Sequence, residues 1–362
     1  MDTEFILGGL TWINAVSATL VTFGLGLILR VGFFRRLTAR NNRVQDVHEL
    51  STSRFGGAAV VISSVIGLGC LLSIFSFELV TMFILSLGAF FVGLWDDLAG
   101  HLSPRIRIFL VVSLSIISGL QLGWVSRIDS AEIFFANDWP LEIFIALTII
   151  SIVGLTNAFN FIDGLHGLAS GVFLSIMAGF YYLAVSNGIV GLDTFISIIF
   201  FSSLGIFVLI FPRGAIFLGD CGAYFMGFLV AQLAIYINNA TYQISSWCFF
   251  LMCIYPITDL SLAVYRRIFI VGQFFQADGQ HLHHLVHSFV RERFPANDKV
   301  RKTWTTNAIA SLICLALSCL PVIIAVKNCQ SPKYLQVACL AFFLGYTLIY
   351  RILLRRQLSD VQ

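Results

Sequence analysis

Aspartates recur where long apolar runs of this 362-residue chain meet polar segments. Asp96 and Asp97 close one run, Asp163 follows a second, and Asp220 precedes a third. Acidic residues are costly at membrane depth and are usually functional there. Carboxylates with oxygen-only partners suit Mg²⁺, which keeps waters and bridges substrate phosphates, better than Zn²⁺, whose sites carry His and Cys. The pattern therefore indicates metal-assisted chemistry on a phosphate.

These aspartates also have structural interpretations. Adjacent carboxylates such as Asp96 and Asp97 repel each other, so at least one should stay protonated or bind a cation. Two interpretations of the pair are open: a general base or phosphate-site residue at the membrane surface, and a solvated helix end. For Asp220 the alternative is a helix N-cap. A cap explains one aspartate better than it explains carboxylates at three separate span ends.

Polar residues crowd the segment NAFNFIDGLHG, which lies between two apolar runs. Asn157 and Asn160 can hold phosphate or sugar groups, and the glycines permit close backbone approach to a ligand. Asp163 and His166 follow in the same segment. A tight turn rich in capping residues is the structural alternative, but the combination favours a binding site.

Four histidines lie close together in the longest polar stretch of the chain, residues 266–302. They are His281, His283, His284 and His287. Such a cluster could bind a metal or donate hydrogen bonds to phosphate oxygens, and the basic residues of the stretch favour an anion site. Apolar residues at helical spacing predict a short amphipathic helix at the membrane interface, with the histidines near its N-terminal end.

The elements that must position these residues are apolar runs long enough to cross a membrane. Apolar residues make up 58% of the chain and charged residues 11%, with a mean hydropathy of +0.89, whereas a soluble domain is about a quarter charged. Backbone polar groups must be satisfied within each span, so we predict an all-α polytopic bundle, with residues 1–362 forming a single membrane domain. Eleven candidate spans begin near Thr11, Gly57, Glu78, Ile106, Leu141, Gly167, Phe195, Gly222, Ser246, Thr306 and Leu335.

Basic residues predict the orientation of these spans. With the N-terminus outside, all 22 lysines and arginines except Arg127, Lys327 and Lys333 fall on the cytoplasmic side, together with the C-terminus. All seven histidines, including His48 and His101, fall on that side as well, although they played no part in the assignment. We therefore expect one polar site on the inner face, assembled from several loops.

Charge and cysteine spacing argue against other classes. A formal net charge of +3 is too small to suggest binding to nucleic acid. The eight cysteines form no CxxC pair and lie mostly in apolar runs, where Cys acts as a small hydrophobe. A transporter with an aspartate proton relay is the rival from another class. It predicts polar residues at mid-span and broken helices near the midplane, whereas these aspartates lie at span ends.

Six motifs occur in an order that resembles the bacterial polyprenyl-phosphate N-acetylhexosamine-1-phosphate transferases, glycosyltransferase family 4. They are HELSTSRFGG from His48, the Asp96-Asp97 pair, NAFNFIDG from Asn157, IFLGDCG from Ile216, Pro256 to Asp259 followed by YRR, and GQHLHHL from Gly279. The resemblance runs from about residue 44 to residue 287. Eleven spans and the HLHHL form resemble the GlcNAc-1-phosphate branch more than the phospho-MurNAc-pentapeptide branch.

The resemblance implies a reaction and its components. A sugar-1-phosphate would pass from a UDP-activated amino sugar to undecaprenyl phosphate, with release of UMP, at a cytoplasmic cleft of the bacterial plasma membrane. Mg²⁺ is the expected cofactor, with Mn²⁺ as an alternative, and a homodimer is an expected assembly. The product would begin an envelope polysaccharide. The alternatives within the family are the pentapeptide step of peptidoglycan and the initiation of teichoic acid or O-antigen.

The resemblance and the charges of these substrates suggest catalytic roles. Asp220 and Asp163 are expected to hold the cation, and Asp97 or Asp96 to deprotonate or orient the lipid phosphate. Phosphate or sugar oxygens are expected to contact His281, His283 and His284.

The remaining candidates are expected to bind substrate. Phe217 would stack on uracil, and Arg54 would contact the lipid phosphate. Asn157, Asn160 and His166 belong to the segment expected to bind the nucleotide sugar. His166 replaces the second aspartate of a DGxDG pattern that is usual in the family.

Overall fold

The computed structural model describes residues 2–30, 52–99, 102–129, 139–271, 280–293 and 299–359. Within these ranges the chain forms thirteen α-helices and no strands, which confirms the predicted all-α class. His48, His101 and parts of the predicted 266–302 loop, residues 272–279 and 294–298, lie outside the described residues.

The helices follow one another in the order that the apolar runs predict. They are α1 (Asp2–Leu29), α2 (Gly56–Gly69), α3 (Phe77–Ala99), α4 (Pro104–Leu122), α5 (Leu141–Ile162), α6 (Leu168–Ser186), α7 (Leu192–Ile210), α8 (Gly219–Ala240), α9 (Ser246–Met252), α10 (Ile254–Arg266), α11 (Leu282–Arg293), α12 (Lys299–Lys327) and α13 (Pro332–Ser359). A π-helical turn, Arg267–Val271, continues α10.

Local sequence signals explain several helix starts. Helix α4 begins with Pro104 after Ser103, whose hydroxyl accepts a hydrogen bond from the Ile106 N–H. Ser245 caps α9 in the same way through the Trp247 N–H. Gly167 and Gly191 precede α6 and α7 with φ angles of +74° and +76°, a conformation that glycine adopts without strain.

Eight described helices are long and apolar enough to cross a membrane, namely α3 to α8, α12 and α13. The pair α9 and α10 would be a ninth span, bent by 72° at Cys253. Helix α2 has 14 residues, or about 21 Å at 1.5 Å per residue, which is short of the ~30 Å hydrocarbon core. Ten of the eleven predicted starts fall within a helix, and Gly167 lies one residue before α6. The number of spans is not confirmed, and the orientation stays a prediction.

Helix α8 lies at the centre of the bundle. Within its apolar window 83% of the residues are buried, against 17% for α13 at the periphery. Helices α3 and α5 pack along α8, and α2 and α6 contact it as well. Because α8 begins at the residue before Asp220, everything packed around its first turn lies near that carboxylate.

Glycines allow the backbones of α2, α3 and α8 to approach closely at this end. A methyl group on Gly93 in α3 would collide with the Asp220 carbonyl, and one on Gly57 in α2 would collide with Gly222. The segments before α2 and α8 are also joined by backbone hydrogen bonds. The Phe217 N–H donates to the Ser53 carbonyl at 2.8 Å, and the Gly56 N–H donates to the Phe217 carbonyl at 2.9 Å.

Candidate active site

Asp97 holds the first turn of α8 from the neighbouring helix α3. Its Oδ2 accepts a hydrogen bond from the Cys221 N–H at 2.9 Å, which satisfies one of the free N–H groups of the helix start. Its other oxygen, Oδ1, is buried and has no hydrogen-bond partner among the described residues. With an exposure of only 6%, Asp97 is not a solvated helix end, so that alternative is wrong for this residue.

Asp220 is the second residue of α8, and the N-cap position of that helix belongs to Leu218. The structural alternative from the sequence, that Asp220 is only an N-cap, is therefore wrong. The residue that caps this helix is Asp97. The Asp220 carboxylate instead lies 3.9 Å from Nη1 of Arg107 in α4.

Asp96 has a different environment from its neighbour. It accepts a hydrogen bond from Nη1 of Arg107 at 2.9 Å and another from the Leu102 N–H at 3.1 Å. These bonds fasten the end of α3 to the start of α4. Arg107 thus lies between Asp96 and Asp220 and supplies positive charge to both.

Asp163 follows directly after α5 and lies near the same carboxylates. Its pKa is raised to about 7, first by burial and then by repulsion from Asp220, against the opposing attraction of Arg54. Arg54 acts on Asp97 as well. Hence Arg54, Asp97, Asp163 and Asp220 share one electrostatic site, although they come from four parts of the chain.

The histidines of α11 lie on the other side of the Asp163 turn. The ring of His283 contacts Gly164 so closely that a methyl group there would collide with it. The rings of His283 and His284 are 4.2 Å apart, and those of His281 and His283 are stacked at 5.5 Å. The cluster and the carboxylates therefore adjoin through the turn at 163–164.

His283 is the most deeply buried member of the cluster, with 1% exposure. Neither of its ring nitrogens has a hydrogen-bond partner within the described ranges. Burial first, and the neighbouring His284 second, hold its pKa well below the usual value, so the ring is neutral near pH 7. An unpaired buried polar group costs free energy, and a bound substrate oxygen would supply the partner.

His166 is buried beside Phe217, with the two ring centroids 5.8 Å apart. Its Nδ1 lies 3.0 Å from the Pro212 carbonyl, which can only accept, so Nδ1 carries the proton. Burial also lowers the pKa of this imidazole. Asn307 in α12 fixes the backbone by accepting from the His166 N–H at 2.7 Å. The two predicted substrate-binding residues His166 and Phe217 are thus brought together.

The two predicted asparagines lie on the last turns of α5. The Asn157 side chain donates to the Val153 carbonyl at 2.7 Å, a bond within its own helix. Asn160 lies three residues after Asn157 and therefore on the same face of α5. Asp163 follows Asn160 by three residues, directly after the end of the helix. Their roles in binding stay predictions.

Sequence reasoning did not assign two residues that the structure places at the site. In the sequence, Arg107 is one of the basic residues that predict the orientation of the spans. Its spacing gives no indication of a contact with Asp96. For Asp259, a position inside an apolar run is as compatible with a structural role as with a functional one. The structure pairs it with His281, Oδ2 to Nδ1 at 2.7 Å. The sequence does contain one signal for this pair: Asp259 is an acidic residue inside an apolar run, and a histidine cluster follows that run.

A magnesium ion fits the donors of this site better than a zinc ion does. Among the described residues, no group of three His, Cys, Asp or Glu is arranged to hold a metal by itself. Mg²⁺ needs only one or two carboxylates when waters and substrate phosphates complete its shell. Asp163 and Asp220 offer oxygen ligands, and Oδ1 of the nearby Asp97 has no hydrogen-bond partner among the described residues.

The bent pair α9 and α10 bears on the transporter alternative, which predicts broken helices. One such break is present at Cys253. However, Asp96, Asp97, Asp163 and Asp220 all lie at or beyond helix ends that converge on one place. They do not line a path through the bundle, so the geometry favours a surface-level reaction site.

Comparisons with known proteins also favour a transferase over a transporter. Residues 79–238 match the model of a family described as Glycosyl transferase family 4. The chain is 29% identical over 254 residues to a probable undecaprenyl-phosphate N-acetylglucosaminyl 1-phosphate transferase of Bacillus subtilis, covering 68% of each chain. It is 28% identical over 207 residues to an undecaprenyl-phosphate alpha-N-acetylglucosaminyl 1-phosphate transferase of Thermotoga maritima, covering 56% of this chain and 60% of that one.

Relatives with a different acceptor step also match. The chain is 27% identical over 206 residues to a phospho-N-acetylmuramoyl-pentapeptide-transferase of Shouchella clausii, covering 51% of this chain and 60% of that one. The family match contains all four aspartates, since they lie between residues 79 and 238. The histidines of α11 lie outside it.

Proposed function

Because this chain belongs to glycosyl transferase family 4, we propose that it transfers a sugar-1-phosphate from a UDP-sugar to undecaprenyl phosphate and releases UMP. The observation that carries the proposal is the convergence of Asp97, Asp163 and Asp220 with Arg54 and Arg107 beside a buried histidine cluster. Carboxylates, guanidinium groups and imidazoles at one place suit a reaction between two phosphorylated substrates, whose charges repel each other.

The donor sugar in this proposal is an N-acetylhexosamine. Support comes from the two N-acetylglucosaminyl 1-phosphate transferases among the relatives. The pentapeptide step of peptidoglycan is the second candidate, and the relatives that carry that name favour it. The envelope polymer that the product would begin, O-antigen, teichoic acid or another, depends on the donor and the host.

The reaction exchanges one phosphoric anhydride bond for another. An oxygen of the lipid phosphate attacks the phosphorus that carries the sugar, and the bond from that phosphorus to UMP breaks. Asp97 is the best-placed base to accept a proton from the lipid phosphate or to orient it, because its Oδ1 is unpartnered within the described part of the chain. Asp96 is engaged by Arg107 and Leu102. Because a similar bond forms as one breaks, we expect the reaction to be readily reversible.

Asp220 and Asp163 are the residues that we propose to hold Mg²⁺, with Mn²⁺ as an alternative. A bound divalent cation would neutralise the pyrophosphate and stabilise the departing UMP. Arg107 lies beside Asp220 and limits repulsion between the carboxylates.

The other contacts divide between the two substrates. His281, His283 and His284 would hold phosphate or sugar oxygens, and His283 has the unpaired nitrogens for that role. Phe217 would stack on uracil, with His166 beside it. Arg54, whose charge reaches Asp97 and Asp163, would contact the lipid phosphate.

We place the enzyme in the bacterial plasma membrane with this site facing the cytoplasm, where UDP-sugars are made. The bias of lysine and arginine supports this orientation. A homodimer stays a prediction.

The test is UMP release by purified protein with undecaprenyl phosphate and Mg²⁺. The donors are UDP-GlcNAc, UDP-GalNAc, related deoxy-sugars and UDP-MurNAc-pentapeptide. We expect UMP only when a lipid phosphate and one N-acetylhexosamine donor are both present, and Asp220→Ala should abolish it while the protein still inserts. UMP from the pentapeptide donor alone would favour the second candidate. No UMP from any donor with folded protein would contradict the proposal.

A further inference from the structure

We propose that Asp259 is a positioning residue that orients the imidazole of His281 toward the substrate phosphates. The inference rests on the proposed function, since it assigns a residue to the same site. Asp259 lies in α10, 22 residues before His281, and His281 lies directly before the first residue of α11. The two side chains meet inside the protein, where each is 3% exposed.

The Asp259 carboxylate accepts three hydrogen bonds. Its Oδ2 lies 2.7 Å from Nδ1 of His281. Its Oδ1 accepts from the Tyr346 hydroxyl at 2.7 Å and from the Leu282 N–H at 3.3 Å. A carboxylate that accepts several hydrogen bonds is stabilised as the anion, and an anion has no proton to donate.

That arrangement determines which nitrogen of His281 is engaged. Nδ1 must carry a proton, because the carboxylate oxygen opposite it only accepts. Nε2, on the other side of the ring, is then the atom left for a substrate. A carboxylate behind an imidazole is a recurrent way to fix the tautomer and the ring plane.

The same carboxylate also places the start of α11. The Leu282 N–H belongs to the first residue of that helix, so Asp259 holds both the His281 ring and the backbone beside it. The groups that face the His281 ring are Asp259, Phe161 at 5.4 Å, His283 at 5.5 Å and His284 at 6.2 Å. The His281 ring stacks on His283, and His283 contacts Gly164, next to Asp163. A change in the orientation of His281 would therefore displace groups that contact the Asp163 turn.

A buried acid could also serve stability alone, so the test must separate the two roles. The experiment measures kcat and KM for UMP release in four proteins: wild type, Asp259→Ala, His281→Ala and the double variant. Loss of a residue that orients another typically costs about 10- to 100-fold. We expect Asp259→Ala to lower kcat by that factor, and the double variant to be no slower than His281→Ala. Losses that multiply in the double variant would overturn the proposal.

Asp259→Asn keeps the test open if Asp259→Ala does not fold. The amide oxygen still accepts from Nδ1, so we expect a smaller loss of kcat than for alanine. Tyr346→Phe is the matched control, because it removes a donor to the same carboxylate without touching His281. It should change thermal stability but leave kcat within about twofold of wild type. A kcat loss in Tyr346→Phe as large as in Asp259→Asn, at equal loss of stability, would contradict a role through His281.

A measurement that needs no activity separates this proposal from the proposed function. In ¹⁵N-histidine-labelled protein we expect a protonated Nδ1 signal that is absent in His281→Gln and shifted in Asp259→Ala. Wild-type protein that shows this signal but releases no UMP would remove the proposed function and leave the Asp259–His281 pair intact. Active protein whose His281 Nδ1 is unprotonated would overturn the positioning role.

Discussion

Asp96 and Asp97 are adjacent in sequence but differ in what holds them. Asp96 is bound by Arg107 and the Leu102 N–H, whereas Asp97 caps α8 with one oxygen and keeps the other unpartnered among the described residues. The sequence predicted a functional pair without ranking its members. Their different roles depend on which neighbouring helix each carboxylate faces, α4 for Asp96 and α8 for Asp97. The order of residues along the chain does not contain that information.

This difference predicts unequal effects of two matched substitutions. Asp97→Asn should lower kcat by about 10²- to 10⁴-fold, the usual contribution of a general base, with little loss of stability. Asp96→Asn should lower the free energy of unfolding by about 1–3 kcal/mol, because a charge-assisted hydrogen bond is weakened, and should reduce kcat less. Kinetics and thermal unfolding of both variants check this. The reverse order of kcat losses would assign the base to Asp96.

The raised pKa of Asp163, about 7, predicts how cation binding depends on pH. A protonated carboxyl cannot ligate Mg²⁺, so affinity should rise about tenfold per pH unit below 7 and level off above it. Asp163→Asn should bind the ion more weakly and lose this dependence. Titration with Mn²⁺ followed by electron paramagnetic resonance, from pH 5.5 to 8.5, measures it. Affinity that is constant with pH in wild type would argue against Asp163 as a ligand.

The same shift fixes the sign of a stability effect. Because the folded protein holds this proton more tightly than the unfolded chain does, the contribution of Asp163 is most favourable at low pH. It is lost as pH rises from the ordinary value of about 4 through about 7. Asp163→Asn should therefore gain stability relative to wild type above pH 7.

At the scale of elements, apolar run length placed ten of the eleven predicted span starts within a helix and Gly167 one residue before α6. The sequence did not predict the 72° bend at Cys253 or the shortness of α2. Both depend on tertiary packing, since the α9–α10 run is continuously apolar up to Tyr255. An apolar run shows that a segment is buried or lipid-facing, and the neighbouring helices decide whether it crosses straight.

The close approach of α3 to α8 predicts a sharp effect of one methyl group. Gly93→Ala places a Cβ against the backbone of Asp220, so it should cost about 1–3 kcal/mol and displace the carboxylates. Gly345→Ala in α13 is the matched control, because nothing lies within 4 Å of its added Cβ. It should be stabilising by about 0.5–1 kcal/mol. Equal melting temperatures for the two variants would show that α3 and α8 are not in contact there.

At the scale of the whole molecule, the sequence predicted that polar residues from several loops would form one site. Asp97, Asp163, Asp220, Arg54 and the α11 histidines do converge. The Asp259–His281 pair and the Arg107 bridge were not foreseen. The first joins α10 to the residue before α11, and the second joins α4 to both α3 and α8. The residue pattern of a single segment holds no information about that packing.

The orientation of the molecule in the membrane gives a separate prediction. With the C-terminus in the cytoplasm, a C-terminal green fluorescent protein fusion should fluoresce and a C-terminal alkaline phosphatase fusion should be inactive. Both reporters placed in the connection near Lys327, between α12 and α13, should give the opposite result. Active phosphatase at the C-terminus would put the candidate site on the outer face, away from cytoplasmic UDP-sugars.

The most direct test of the proposed reaction is to follow the β-phosphate of the donor. Wild-type protein is incubated with undecaprenyl phosphate, Mg²⁺ and UDP-GlcNAc labelled with ³²P at the β-phosphate, and lipid and water-soluble products are separated. We expect the label in the lipid fraction, unlabelled UMP in the water, and neither product with Asp220→Ala. If GlcNAc reaches the lipid while the label stays behind in UDP, the enzyme transfers a sugar and not a sugar-1-phosphate, which would contradict the central claim.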